Sequence, residues 1–237
     1  MEKEFEILEW DSQFFGFNVA KVKKDLLLKN PDTPKLFETL DSQKVKLAYS
    51  INSSELFNAS QNLYEIKYIV KRIPLQKKVE KVYPIHPNIN LYEERTVDPS
   101  LIKLAQLAGR QGRFGQDPNI PLELCDKIFE SYIVNSVNKK MASHILTYRV
   151  EGEIVGFATI DIREDKGYTP LFAVNRAFEG KGISFALMRA AETILKEENC
   201  PIAVGGTQKL NVKALKVYQR FGLIPQEPEY VYHLWKK

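Results

Sequence analysis

Two stretches of this chain hold residue types and spacings suited to chemistry. The first is Val174-Asn175-Arg176-Ala177-Phe178-Glu179-Gly180-Lys181-Gly182-Ile183-Ser184, where an apolar strand gives way to an amphipathic helix. Glycines let a backbone approach a ligand closely, and the unpaired N–H groups of a helix's first turn point at one spot. With Lys181 adding positive charge, such a loop suits a diphosphate. Its spacing is neither a Walker P-loop nor the three-glycine dinucleotide fingerprint. The second stretch is Asn211, Leu215 and Tyr218, which share one face of a helix, with Asn211 and Tyr218 about 10 Å apart along its axis. An extended pantetheine arm matches that length, with Asn211 bonding an amide and Tyr218 reaching the thiol. A phenol with a reference pKa of about 10 can protonate a departing thiolate whose reference value is about 8.5. Each stretch also has a plainer reading. Two glycines before a helix can simply turn the chain, and a helical tyrosine can simply pack on a sheet.

The elements that position these residues fall into two mixed α/β segments. In the first, Phe5 to Trp10 alternates like a strand, as do Phe17 to Val22, Val45 to Ile51 and Tyr64 to Ile73. Pro34 to Leu40 has a helical pattern, and Ser53 or Ser54 suits the cap of a short helix through Ala59. The run Tyr83-Pro84-Ile85-His86-Pro87-Asn88 reads as a connector. The second segment starts with a strand, Ile89 to Arg95. A helix follows, opened by Asp98 as N-cap and Pro99 in the first turn. Arg110 to Pro121 reads as a loop and Leu122 to Asn138 as a second helix. An antiparallel pair, His144 to Val150 and Ile154 to Asp161, turns at Glu151-Gly152-Glu153. Tyr168 to Val174 is the next strand, followed by a helix from Gly182 to Glu197, a strand from Ile202 to Val204, a helix from Asn211 to Phe221 and a last strand from Tyr230 to Trp235. Three consecutive central strands separate this order from a doubly wound βαβ sheet. The division expected is 1–82, a linker at 83–88, and 89–237.

Composition excludes several classes. The chain has 237 residues, 34 basic and 30 acidic, for a formal charge of +4. The two signs are interleaved, which does not favour nucleic acid. The densest basic stretch, Lys71 to Lys81, is broken by Pro74 and Glu80 and reads as a solvated linker. No apolar run approaches the roughly 20 residues of a membrane span. The opening MEKEFEILEW lacks the n- and h-regions of a signal peptide. Cys125 and Cys200 have no C-x-x-C partners, and His86, His144 and His233 lie far apart, so no disulfide framework or metal site is expected. A cytoplasmic location fits this cysteine usage.

Taken together, the glycine loop and the N-x-x-A-L-x-x-Y helix resemble the two acetyl-CoA motifs of the GNAT N-acetyltransferase superfamily. In place of that family's [QR]-x-x-G-x-[GA], the chain has Glu179-Gly180-Lys181-Gly182-Ile183-Ser184. Gly182 fits, while Glu179 and Ser184 depart, and Glu179 is expected to point away from a diphosphate. The resemblance implies an α/β (α+β) GNAT fold, with a mixed, largely antiparallel sheet and a smaller N-terminal α/β domain. A narrower resemblance spans nearly the whole chain. Leu8-Glu9-Trp10-Asp11-Ser12-Gln13-Phe14-Phe15-Gly16 and Thr207 to Tyr218 are similar to the opening and the T-Q-x-x-N-x-x-A-L-K-x-Y segment of dTDP-fucosamine acetyltransferases, and Arg113-Phe114 matches their R-F pair. That group acetylates the 4-amine of a dTDP-linked amino-deoxy sugar for cell-surface polysaccharide.

The resemblance implies acetyl-CoA as donor, Tyr218 as general acid, and coenzyme A contacts at Asn211 and Lys216. Gly180, Lys181, Gly182, Ile183 and Ser184 are expected at the diphosphate. Backbone N–H groups of Phe172-Ala173-Val174 are expected to polarise the thioester carbonyl. The acceptor would meet Arg113, Phe114 and Asp117, because binding residues concentrate in loops. Asp161 is a candidate base, directly or through water, and the plainer reading preferred for it is a surface carboxylate at a strand end. Cys125, inside a helix pattern with no nearby His, is not expected to be a nucleophile. A small-molecule nucleotide amino sugar is the expected partner, and a homodimer is compatible with this reading. The alternatives are a peptide, lysine or polyamine acceptor, or a coenzyme A-binding module without activity.

Overall fold

The computed structural model describes residues 4–29, 34–56 and 62–237. Two compact units form: Met1–Ile73 with Glu227–Lys237, and Pro74–Gln226. This division differs from one at 83–88, because the last strand pairs with strands of the first unit.

In the first unit, β1 (Phe5–Ile7) is followed by a helix, α1 (Glu9–Phe15), rather than by more strand to Trp10. Acidic Glu9 and Asp11 favour a helix N-terminus, and Gly16 at φ 72° closes the helix in the left-handed conformation. Trp10 and Phe14, one helical turn apart, stack with centroids 5.3 Å apart. β2 (Asn18–Val22), α2 (Leu26–Lys29), α3 (Pro34–Ser42), β3 (Val45–Asn52) and β4 (Tyr64–Lys78) follow, and β12 (Glu229–Lys236) returns to the unit. Strands are ordered β1-β2-β3-β12-β4, with β12 antiparallel to both neighbours. Leu36, Phe37 and Leu40 of α3 pack with Ala48, Tyr64, Tyr232 and Leu234 in this unit's core. The helix expected from Ser53 or Ser54 to Ala59 runs into residues 57–61, outside the described residues.

The basic stretch after Lys71 is strand, not linker: β4 continues through Pro74 to Lys78. Pro74 contributes its carbonyl, which accepts from Gln226 N at 2.8 Å. In the second unit Lys77 Nζ donates to Glu192 Oε1, and this carboxylate is 2% exposed.

The second unit continues with β5 (Ile89–Leu91), α4 (Pro99–Gly109), α5 (Arg113–Gln116), α6 (Leu122–Val137), β6 (His144–Val150), β7 (Glu153–Arg163), β8 (Lys166–Tyr168), β9 (Phe172–Val174), α7 (Ile183–Glu197), β10 (Ile202–Gln208), α8 (Val212–Arg220) and β11 (Ile224–Pro225). Asp98 caps α4 by accepting from Ser100 N at 2.7 Å. β5 stops at Leu91, short of Arg95, and the expected loop 110–121 contains the short helix α5. β5, β6 and β7 are antiparallel neighbours. Glu151 and Gly152, at φ 51° and 86°, make the two-residue turn between β6 and β7. On one face of this sheet, α7 buries Ile183, Leu187, Ala190, Ile194 and Leu195 against Leu146, Val155, Ala158 and Ile160. Each fully buried Leu or Ile contributes up to about 2–3 kcal/mol by removal from water. Helix α4 packs on β7 and β9 and against α6.

Candidate active site

The expected single strand from Tyr168 to Val174 is two strands laid end to end along β7. β8 pairs with it at Asp161↔Tyr168, and β9 at Ala158↔Phe172. Between these pairs, Thr159 and Ile160 of β7 face Thr169, Pro170 and Leu171, so one extra residue bulges out. Proline, lacking an N–H, cannot complete the ladder there. Thr159 Oγ1 takes up the slack by accepting from Leu171 N at 2.9 Å.

The bulge has a chemical consequence. β10 runs parallel to β8 over Ile202–Val204, and Thr169 N still donates to Val204 O at 3.0 Å. Beyond that point, among the described residues, β9 pairs with β7 alone. Asn175 N bonds Val155 O, and Thr159 N bonds Leu171 O. Antiparallel alternation therefore turns the peptide groups of Ala173 toward β7 and those of Phe172 and Val174 away from it. The Phe172 and Val174 N–H groups sit on an open strand edge, as an oxyanion site requires.

β9 runs through a 3₁₀ turn, Arg176–Phe178, into the glycine loop. Gly180 and Gly182 have φ of 78° and 81°, and a Cβ on either would meet nothing within 4 Å. Backbone conformation, not crowding, makes them glycine, and the space beside them is open. Gly182 is the N-cap of α7 and offers no side-chain cap. The first intrahelical bond there runs from Ala186 N to Gly182 O. The N–H groups of Ile183, Ser184 and Phe185 are left facing outward with the positive end of the helix dipole. The Ile183 side chain is buried in the core, so only its backbone serves the loop. Lys181 is exposed, its ammonium 4.6 Å from the Phe178 ring centroid. Glu179 points to α8, where its carboxylate accepts from Lys213 Nζ at 2.9 Å.

Asn211 is the N-cap of α8 rather than its first turn, and Oδ1 accepts from Ala214 N at 3.2 Å. Its side-chain N–H groups remain available to a ligand. Tyr218 projects toward β9, its ring edge-to-face with Phe172 at 6.1 Å. No hydrogen bond to its hydroxyl is found among the described residues, and burial pushes its pKa up to about 12. The phenol therefore stays protonated. Lys216, two residues earlier, lies on the opposite side of α8 and is exposed.

The remaining expected residues are placed as follows. Phe114 and Asp117 are 3% and 2% exposed, and Asp117 Oδ1 accepts from Asn119 N at 2.8 Å. The Arg113 guanidinium lies 4.1 Å from the Phe114 ring centroid. Phe114 and Asp117 thus brace the loop from inside. Asp161 is three residues along β7 from Ala158, about 10 Å from the Phe172 pairing, and is held by Arg163 at 2.5 Å. Cys125 is buried, and desolvation raises its thiol to about 11, the reverse of an activated nucleophile. Gln208, which ends β10, had no expected role. Its amide nitrogen lies 4.0 Å from where a Cβ on Gly112 would sit, so the 110–113 loop passes the open end of β10. Among the described residues no cluster of three or more His, Cys, Asp or Glu is placed to hold a metal, and no helix is long and apolar enough to cross a membrane.

Residues 114–223 match the model of the Acetyltransferase (GNAT) family. Bacillus subtilis (strain 168) spore coat polysaccharide biosynthesis protein SpsD is 29% identical over 136 residues, 57% of this chain and 47% of that protein. The chain thus spans about half the length of that curated relative. A GNAT-family acetyltransferase structure from Novosphingobium aromaticivorans DSM 12444 superposes with a TM-score of 0.63 at 13% identity, over 100% of this chain and 90% of that one. A GCN5-related N-acetyltransferase from Sphaerobacter thermophilus gives a TM-score of 0.55 at 12% identity, over 97% and 75%. Such low identities speak to fold alone, and that fold agrees with the family match. Residues 114–223 are therefore similar to the acetyltransferase domain of the GNAT family, in sequence and in fold.

Proposed function

We propose that this chain transfers the acetyl group of acetyl-CoA to the amine of a nucleotide-linked amino-deoxy sugar, dTDP-linked in the first instance. The observation that carries the transferase chemistry is the open β9 edge. Its Phe172 and Val174 N–H groups are turned away from β7, the Tyr218 ring meets the Phe172 ring edge-to-face at 6.1 Å, and the loop of Gly180 and Gly182 follows directly. These residues fit the donor. The loop and the first turn of α7 present N–H groups and Lys181 to an anion, with open space beside both glycines. Asn211 presents amide N–H groups at the start of α8, on the helix face that ends at Tyr218.

Bound there, acetyl-CoA supplies an activated acetyl group, and the acceptor amine takes it directly in a ternary complex without an acyl-enzyme. The β9 N–H groups stabilise negative charge on the carbonyl oxygen. Tyr218 Oη–H donates to the departing sulfur. Its raised pKa keeps the proton on the phenol, which hydrogen-bonds the sulfur as it becomes anionic. The proton lost by the amine nitrogen passes to solvent, and the thiolate leaves as coenzyme A. Glu179, drawn off by Lys213, does not oppose the diphosphate.

The sugar acceptor is supported by the similarity of both chain ends to dTDP-fucosamine acetyltransferases and by a relative whose name places it in polysaccharide biosynthesis. A cytoplasmic location belongs to the same proposal. Thiol release from acetyl-CoA, measured with dTDP- and UDP-amino sugars, peptides and polyamines, tests it. Turnover confined to nucleotide amino sugars is expected. Turnover of peptides or polyamines alone would remove the sugar and leave the transferase.

A further inference from the structure

The sheet of the second unit has two distinguishable faces. A Cβ on Gly167 would meet Leu195 of α7, and one on Gly156 would meet Ile183 and Leu187, so both positions look toward α7. Gly167 is paired with Ala203 of β10, and strand alternation then puts Ala203, Gly205 and Thr207 on that same face. Gly205 agrees, since a Cβ there would meet Leu223, just past α8. Phe172 is paired with Ala158 and packs with it on the α7 side, so Tyr218, whose ring meets Phe172, serves this face too. Val204 and Gln208 are turned the other way, and there the Gln208 amide nitrogen lies beside Gly112 of the loop between α4 and α5.

Gln208 also stands level with the open β9 edge. The register Val204↔Tyr168, carried four residues further, sets Gln208 opposite Phe172, and the bulge shifts it toward Ala173. The two strands are no longer paired at that height, so Tyr218 and Gln208 address the gap between them from opposite faces of the sheet. The main chain of Gln208 is fixed, its carbonyl accepting from Asn211 N at 2.9 Å in the turn into α8. Its side chain is half-buried, and no hydrogen bond to the carboxamide is found among the described residues. A half-buried carboxamide with donor and acceptor both unused is placed to bind a ligand.

An attacking amine must reach the flat thioester carbonyl from outside its plane. Tyr218 serves the sulfur from one face of the sheet, and on the face of Gln208 an incoming amine does not compete with it for space. Resting on the amino-sugar function proposed above, we infer that Gln208 binds the acceptor and selects amines with a hydroxyl on the adjacent carbon. Gln208 Oε1 accepts one N–H of the neutral amine, leaving the nitrogen lone pair to form the bond to the carbonyl carbon. Gln208 Nε2 donates to the oxygen of the adjacent hydroxyl. As the C–N bond forms and the C–S bond breaks, the carboxamide takes no proton, because an amide is not basic enough, and the amine's proton passes to solvent. A lysine side chain or a polyamine offers the first of these hydrogen bonds and lacks the second.

Thiol release tests this with two dTDP-linked amino sugars that differ only beside the amine, a hydroxyl in one and hydrogen in the other. Wild type should lose about fivefold or more in kcat/KM on the deoxygenated acceptor, the effect of one hydrogen bond. Gln208→Met, which keeps length and shape, should lose about tenfold or more on the hydroxylated acceptor and treat the two acceptors alike. Its acetyl-CoA affinity by isothermal titration should stay within about twofold, with thermal melting to confirm folding. Wild-type rates in Gln208→Met, with nucleotide amino sugars still turned over, would overturn the role of Gln208 and leave the function standing. A hydroxyl preference that persists in Gln208→Met, or a loss of acetyl-CoA affinity, would mark a structural residue and overturn it as well. Turnover of amines lacking a nucleotide, with none of nucleotide sugars, would overturn both.

Discussion

Replacing Tyr218 by Phe removes one oxygen and little else. The ring contact with Phe172 is retained, and the hydroxyl has no protein hydrogen bond among the described residues to lose. Folding stability should therefore change by less than about 1 kcal/mol. The kinetic effect is set by what the hydroxyl does for the sulfur. With the phenol at about 12 and a free thiol at about 8.5, complete proton transfer is uphill by about 5 kcal/mol. Tyr218 thus works mainly as a hydrogen-bond donor to the developing thiolate, an interaction to a charged group of about 1.5–3 kcal/mol. This converts to a fall in kcat of roughly 10- to 150-fold, with the KM for acetyl-CoA little changed. Thiol-release kinetics on both proteins measure it. A thioester donor with a more acidic leaving thiol should shrink the deficit, because such a sulfur needs less stabilisation. The protonated phenol is the active form and persists to about pH 12, so Tyr218 contributes no falling limb to the wild-type profile below about pH 10. Its contribution to stability is likewise complete below pH 10 and fades as pH rises toward 12. Full turnover by Tyr218→Phe, or an equal deficit with both donors, would refute this role.

Other consequences can be measured independently. Gly182→Ala places a side chain at φ 81° in open space, so its cost is backbone strain of about 1–2 kcal/mol. Melting should fall by a few degrees, and acetyl-CoA affinity by titration should fall severalfold as the loop's N–H groups shift. Glu179→Gln removes an exposed ion pair of little stability value. It also removes a negative charge beside the diphosphate loop, so acetyl-CoA should bind as well or a few-fold more tightly, most visibly at low salt. Lys77→Met leaves the buried Glu192 carboxylate with, among the described residues, the long Glu80 N–H contact as its remaining hydrogen bond. Denaturant unfolding should show a loss of about 3 kcal/mol.

The elements around the site were legible where local signals decide. Asp98-Pro99 announces α4, Glu151-Gly152 announces the turn into β7, and apolar spacing gives α7 and α8. Other features depend on distant partners. Phe5 to Trp10 alternates like a strand, but the acids of α1 and Gly16 override that pattern beyond Ile7. Pro170 was a visible clue to the break between β8 and β9, yet the bulge exists only because Thr159 on β7 accepts from Leu171 N. Nothing local shows that Tyr230 to Trp235 pairs with β3, some 180 residues earlier in the chain. In the site, the glycine loop and Tyr218 were readable as types at a spacing. That Asn211 caps its own helix, that Glu179 is engaged by Lys213, and that Phe114 and Asp117 are buried follow from packing alone.

The central claim is transfer of acetyl from acetyl-CoA to a nucleotide-linked amine. Mass spectrometry of all species, after the protein is mixed with acetyl-CoA and a dTDP-linked amino sugar, tests it most directly. The expected result is one acetyl group on the sugar amine for each coenzyme A released, with none retained on the protein. An acetylated protein as an obligatory intermediate, or an unmodified sugar despite measured acetyl-CoA binding, would contradict it.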